Sequence, residues 1–375
     1  MSNRILFYYP SNKRSIQIET ELAELINRNV KFTFLSTCET GELHIKLNEL
    51  GIETYTNNIK KKNSFVYYLK QIFFLIRFCN HHKIDIVWSN LQHANFIAVF
   101  AQYFIKSKVI CFRHHFKFIK GFSKQTIQIN KTEKLFDRAI NSLAKKIIVP
   151  SAGVYNGMKD TENINIKKVQ VLPYIYDFNR YIKPPILEIN EIKLKHPAHL
   201  NLLMCARLIP FKRHNIVFPI IKKLVNEGLD IKMFVLDTGP ELENLTNYIN
   251  ENNLKENIVM LGFRTNFMAY MAASDILVHP SLTEASNNVV KELGLMQKTV
   301  IVCSGVGDFD DYIIHGDNGF LVSSEAPEIE IERIIRKLYQ DKSILESLGE
   351  NLNNIILEKY NLSKAVIEQY IELTN

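Results

Sequence analysis

Two successive series of short apolar runs, each separated from the next by an amphipathic stretch, leave few folds open to this chain. The first series falls at residues 5–9, 30–35, 52–55, 84–88, 108–112, 146–149 and 169–172, and the second at 201–205, 231–236, 258–261, 276–279, 299–302 and 320–322. Runs this short and this apolar suit strands buried on both faces, while the stretches between them, such as 17–28, 64–80, 94–105 and 131–143, have helical spacing. The expected class is therefore α/β, with parallel sheets covered by helices on both sides. The pattern lapses at 181–197, where Ile182-Lys183-Pro184-Pro185-Ile186-Leu187 reads as a linker. This predicts two doubly wound, Rossmann-like domains, at 1–185 and 195–361.

With 375 residues, 46% of them apolar, the chain can bury two cores of that size. Cys38, Cys79, Cys111, Cys205 and Cys303 are odd in number and scattered, which suits small buried hydrophobes in a reducing compartment better than disulfides or metal ligands. The apolar start, 5–9, is too short for a secretory leader, and the most apolar helical stretch, 65–79, is interrupted by Lys70 and Arg77. A cytoplasmic protein is expected, either free or peripheral on the inner face of the membrane.

The net charge of +7 hides an asymmetry, because residues 1–190 carry +14 and the remainder −7. Most of the excess lies in 51–150, where 17 basic residues face 4 acidic ones. A basic amino-terminal half suits an anionic partner such as an acidic membrane surface or a pyrophosphate-bearing acceptor, or simply a lysine-solvated surface. Nucleic acid is disfavoured, since no binding motif accompanies the charge.

The chemistry concentrates in Pro280-Ser281-Leu282-Thr283-Glu284-Ala285-Ser286-Asn287-Asn288-Val289-Val290-Lys291-Glu292. This stretch follows a buried-strand pattern and enters a helical one, so it presents a helix start at a strand's carboxyl end, where free N–H groups can seat phosphate. Glu284 and Glu292 lie about two helical turns apart, and carboxylates accept hydrogen bonds in pairs from vicinal hydroxyls. By spacing alone the two read first as a helix-capping and a solvated glutamate.

Three further elements decide between these: Arg207-Leu208-Ile209-Pro210-Phe211-Lys212, Asp237-Thr238-Gly239-Pro240-Glu241, and His315-Gly316-Asp317-Asn318-Gly319-Phe320-Leu321-Val322. Together, in this order, they resemble the family 4 retaining glycosyltransferases of glycosyl transferases group 1. The resemblance implies the GT-B architecture, two Rossmann-like domains facing a cleft, with the last helix, 362–375, crossing back onto the first domain. It implies transfer of a sugar from a nucleoside diphosphate sugar to a hydroxyl acceptor, such as a saccharide or lipid-linked saccharide in bacterial cell-surface polysaccharide or glycolipid assembly. Arg207 and Lys212 would neutralise the departing diphosphate, so neither metal nor other cofactor is expected. Glu284 would hold the sugar hydroxyls and Glu292 the ribose. Ala285, Ser286, Asn287 and Asn288 replace the family's glycine-rich turn, with backbone N–H groups toward phosphate, and Gly239 would lie in a nucleotide-side loop.

His114 aligns with a family histidine that contacts the donor sugar; adjacent His115 points the other way on a strand and is placed on the acceptor side. Lys13 and Arg14 stand in the first strand-to-helix turn, also acceptor-side, where relatives carry paired glycines. Gly305-Val306-Gly307-Asp308 and Asp311 read as turn and helix-cap residues. Two other functions remain open at this point, an inactive scaffold subunit of a polysaccharide-assembly complex and a nucleotide-sugar 2-epimerase.

Overall fold

Apolar runs bounded by amphipathic stretches become parallel strands because only a crossover helix spans the distance back to the same sheet edge. The computed structural model of the chain describes all residues except 1–2, 11–16, 29, 61–62, 115–118, 124–125 and 130, with side chains at 17–21, 119–123, 126–129 and 131 also left aside. Lys13, Arg14 and His115 therefore lie outside the described residues.

The strands are Arg4–Tyr9 (β1), Lys31–Ser36 (β2), Glu53–Thr56 (β3), Ile86–Asn90 (β4), Lys108–Phe112 (β5), Ile119–Ser123 (β6), Thr126–Ile129 (β7), Ile147–Val149 (β8), Val169–Val171 (β9), Leu200–Cys205 (β10), Ile231–Leu236 (β11), Ile258–Gly262 (β12), Ile276–His279 (β13), Thr299–Cys303 (β14) and Phe320–Val322 (β15). They form a seven-stranded sheet in the order β3-β2-β1-β4-β5-β8-β9, a six-stranded sheet in the order β12-β11-β10-β13-β14-β15, and the pair β6-β7.

Two compact units result. One comprises Met1–Lys120, Ile129–Asp177 and Tyr360–Asn375, the other Gly121–Gln128 and Phe178–Lys359. In the first unit the core is an aromatic layer on the sheet. Phe7 and Phe32 lie 5.7 Å apart, and Trp88 lies 5.4 Å from Phe112 and 6.2 Å from Tyr370. Tyr370 comes from the closing helix Lys364–Glu372, and its hydroxyl donates to the Pro173 carbonyl at 3.2 Å. Burying Tyr370 and Leu373 ties this helix down with about 2 kcal/mol each.

Three expectations need correction. The 181–197 stretch is not a linker throughout, because Pro185 caps a helix, Ile186–Lys195, that packs on the helix Phe267–Ala273. The unit boundary accordingly falls at Asp177 rather than 185. The helix expected at 94–105 is Leu91–Ala101, because β4 runs directly into it through Asn90 and a left-handed Leu91. The β6-β7 pair was not foreseen.

Candidate active site

In the second unit the strand order changes direction between β10 and β13, which pair in register at Leu202–Ile276 and Leu203–Leu277. Loops leaving two adjacent strands at such a switch point diverge and open a crevice at their carboxyl ends. Here those loops carry Arg207 and Lys212 after β10, and Glu284 after β13. They are tied together where the Leu282 N–H donates to the Phe211 carbonyl at 2.9 Å.

Glu284 is nearly buried, at 11% side-chain exposure, yet it is ionised. Burial alone would raise its carboxyl, but the Lys212 charge and a hydrogen bond from His279 outweigh burial and hold it well below the usual carboxylate range. Both donors reach the same oxygen: Lys212 Nζ and His279 Nε2, the latter at 2.7 Å, donate to Oε1. Among the described residues no hydrogen bond reaches Oε2, which leaves one carboxylate oxygen to accept from a ligand hydroxyl.

His279 Nε2 also lies 3.1 Å from the Asn287 amide nitrogen. A carboxylate can only accept, so the tautomer that bonds Glu284 carries its proton on Nε2. His214 lies behind this group. Burial, helped by His279 and Lys212, pushes it down to about 3, so it is neutral. Gly307 closes the other side. It adopts a left-handed φ of 60°, and a Cβ there would stand 2.7 Å from Glu284 Cβ.

The Ala285–Asn288 turn is braced rather than glycine-rich. Asp308 accepts from Ser286 Oγ at 2.6 Å, from the Asn287 backbone N–H at 3.3 Å and from Lys291 Nζ at 2.6 Å. Asp308 is 2% exposed and Lys291 not at all, and the ammonium sits 4.8 Å above the Tyr312 ring. Burial pushes Lys291 below its ordinary range against the pull of Asp308. Of the backbone N–H groups expected to face phosphate, that of Asn287 donates to Asp308 here, alongside the Ser286 hydroxyl. Asn287 caps the helix Asn288–Leu295 through its side-chain oxygen, which accepts from the Val290 N–H at 3.0 Å.

Arg207 is exposed, and the following residue is pinned from behind by Gly239. A Cβ on Gly239 would stand 2.4 Å from the Leu208 carbonyl oxygen, so close packing of these two loops explains that glycine. Glu292 projects from the same helix as Lys291. Burial raises its carboxyl to about 7, opposed only by Lys291, and it in turn helps raise the Cys205 thiol, which burial pushes up to about 12.

A carboxyl raised on folding contributes stability below its unfolded pKa and loses it as pH climbs through the folded one. Glu292→Gln is therefore expected to melt with wild type near pH 4.5 and to gain on the order of 2 kcal/mol, several degrees in Tm, by about pH 8. Parallel melts across that range check this, and curves that never separate would mean that the carboxyl is not strained.

In the first unit, His114 follows β5. Its Nδ1 bonds the Tyr174 hydroxyl and its Nε2 lies 3.4 Å from Asn90 Oδ1. It borders a 220 Å³ cavity together with Pro10, His93, Arg113, Glu133 and Asp137. Arg113 is buried on Glu162 at 2.6 Å and Asp137 at 3.4 Å, and burial outweighs Arg113 to lift Asp137 to about 6. Among the described residues no three His, Cys, Asp or Glu side chains converge as a metal site.

His279, His214 and the Lys291–Asp308 pair were not singled out from sequence as site residues. The only signal for His279 was its place as the last residue of a buried strand, four residues before the turn glutamate's neighbour Thr283.

Residues 188–354 match the family model described as glycosyl transferases group 1. An uncharacterized glycosyltransferase of Methanocaldococcus jannaschii is 29% identical over 273 residues, spanning 71% of this chain and 67% of that protein. The UDP-Gal:alpha-D-GlcNAc-diphosphoundecaprenol alpha-1,3-galactosyltransferase of Escherichia coli is 22% identical over 353 residues, spanning 90% and 88%. The crystal structure of Anabaena HepE in complex with UDP and glucose has the same fold, with a TM-score of 0.80 at 18% identity over 99% of this chain and 98% of that one. Two parallel α/β sheets of this order give the chain the GT-B fold, and residues 188–354, in its second unit, are similar to glycosyl transferases group 1.

Proposed function

We infer that the protein is a retaining glycosyltransferase that moves a sugar from a nucleoside diphosphate sugar to a hydroxyl of a lipid-linked saccharide. The observation that carries this reading is the buried, ionised Glu284, which has one oxygen held by Lys212 and His279 and the other open at the switch point. An open carboxylate oxygen orients sugar hydroxyls, and Lys212 and exposed Arg207 supply charge where a diphosphate departs. Two cations so placed make a metal unnecessary to the reading. Glu292 accepts from the ribose. His114, in the first unit, is proposed as a sugar contact on the resemblance, and Lys13, Arg14 and His115 as acceptor-side groups.

In the reaction, the acceptor oxygen bonds the anomeric carbon on the face from which the diphosphate leaves. The hydroxyl proton passes to the leaving phosphate oxygen. The E. coli relative, by its name, uses UDP-Gal and a diphosphoundecaprenol-linked acceptor, and HepE was crystallised with UDP, so UDP and a polyprenyl-diphosphate saccharide are the first ligands to try.

The test is a thermal-shift screen with UDP, GDP, ADP and CMP and their sugars. A nucleotide at about a hundred times its Kd should stabilise wild type by roughly 2.7 kcal/mol. Arg207→Ala and Glu292→Ala should lose that ligand-induced shift whatever their own Tm. No shift with any nucleotide would reject the reading.

A further inference from the structure

The helix Ser64–His82 is apolar on both sides, and among the described residues only one side is covered. Tyr68, Gln71, Leu75, Phe78 and Cys79 face inward, and Tyr68 packs edge-on against Phe96 and Phe136 at 5.2 Å. On the opposite face Val66, Leu69, Lys70, Phe73 and Arg77, spaced by three, four and seven residues, are exposed. Phe65 at the edge of this face and Phe73 near its centre are 73% and 69% exposed. A helix on a water-facing surface carries its charges there, whereas this one presents two aromatic rings and two cations and contains no Asp or Glu. Residues 57–108 hold eight Lys and Arg against one acidic residue, Asp85, which is occupied in accepting from the Arg4 backbone N–H at 2.8 Å. The neighbouring helix Leu91–Ala101 is followed by Tyr103 and Phe104, also exposed. Among the described residues no helix is long and apolar enough to cross a membrane.

We propose that this face of the first unit seats on an acidic lipid surface. Phe65, Val66, Leu69 and Phe73 enter the headgroup boundary, and Lys70 and Arg77 meet lipid phosphates. A second copy of the chain fits less well, because a two-fold contact would bring these cations together with no carboxylate on the helix to pair them. The proposal gives the lipid-linked acceptor reading a place to act, but its test does not depend on transfer.

Wild type should sediment with phosphatidylcholine vesicles containing roughly 30% phosphatidylglycerol and bind pure phosphatidylcholine at least about thirtyfold more weakly, with the difference lost at high salt. Phe65→Ser with Phe73→Ser should bind about tenfold or more weakly, and Lys70→Gln with Arg77→Gln roughly twentyfold more weakly. Both pairs should keep the wild-type Tm and undiminished transfer to a water-soluble saccharide. The single tryptophan, Trp88, is buried, so Phe73→Trp adds an emission that should shift to the blue on acidic vesicles alone. Absence of vesicle binding at low salt would overturn the proposal. So would binding unchanged by the serine pair, or a concentration-dependent dimer that the serine pair abolishes.

Discussion

Lys212→Ala is expected to lower stability by about 3–5 kcal/mol near neutral pH and to slow transfer at least a hundredfold. Lys212 is the larger of two influences that keep Glu284 ionised in a nearly buried position, and His279, itself buried, cannot replace its full charge. Without the ammonium, burial dominates and the Glu284 carboxyl rises. The pH dependence follows from the sign of each shift. In wild type the depressed carboxyl contributes stability above its ordinary pKa and loses it as pH falls; in the variant the raised carboxyl contributes below that value and loses it as pH climbs. The gap between the two proteins should therefore be widest at about pH 7–8 and narrow toward about pH 5. Glu284→Gln on the Lys212→Ala background removes the stranded charge. The double variant should recover most of the stability and none of the transfer, a coupling that a double-mutant cycle measures. A gap that does not vary with pH would show that the ion pair is not formed in solution.

What the sequence revealed and what it hid divide by the range of the interactions involved. The strands were legible because a parallel strand covered on both faces is a bare apolar run. Leu200–Cys205 and Ile231–Leu236 sit in the middle of a sheet and were placed within a residue. The helix Ile186–Lys195 was not, because it buries little beyond Ile192 and leaves Ile186, Leu187 and Leu194 exposed, so it has no apolar stripe, and Pro184-Pro185 before it imitate a linker. Its remaining signals, a proline at its start and lysines in its last turn, are weak without the packing. At the site, Glu284 and Lys212, which the structure brings together, were legible because each sits in a local motif. Lys291 was not, since a lysine beside a helix glutamate reads as solvated, and its partner Asp308 lies seventeen residues away on another loop. Nothing local announces that both are buried.

That buried pair leads to the second large effect, Asp308→Ala, which should cost about 3–5 kcal/mol by leaving the fully buried Lys291 ammonium without its counter-charge. Lys291→Met should cost less, because Asp308 keeps two donors, the Ser286 hydroxyl and the Asn287 N–H. Combining Lys291→Met with Asp308→Ala removes both charges, and a buried ion pair replaced by apolar groups is often close to neutral in stability. If the pair served stability alone, the double variant would regain wild-type kinetics with its Tm. If it also positions the turn between Glu284 and the Asn288–Leu295 helix, the double variant melts like wild type but leaves Ser286 and Asn287 without their anchor. The KM for the nucleotide sugar then rises about tenfold while the ion pair at Glu284, and with it most of kcat, survives. The second outcome is the expected one, because Asp308 reaches past Lys291 to hold the two residues that follow Ala285, where a glycine-rich turn would otherwise let the backbone close on a phosphate unaided. A double variant with unchanged KM would reduce the pair to a structural strut.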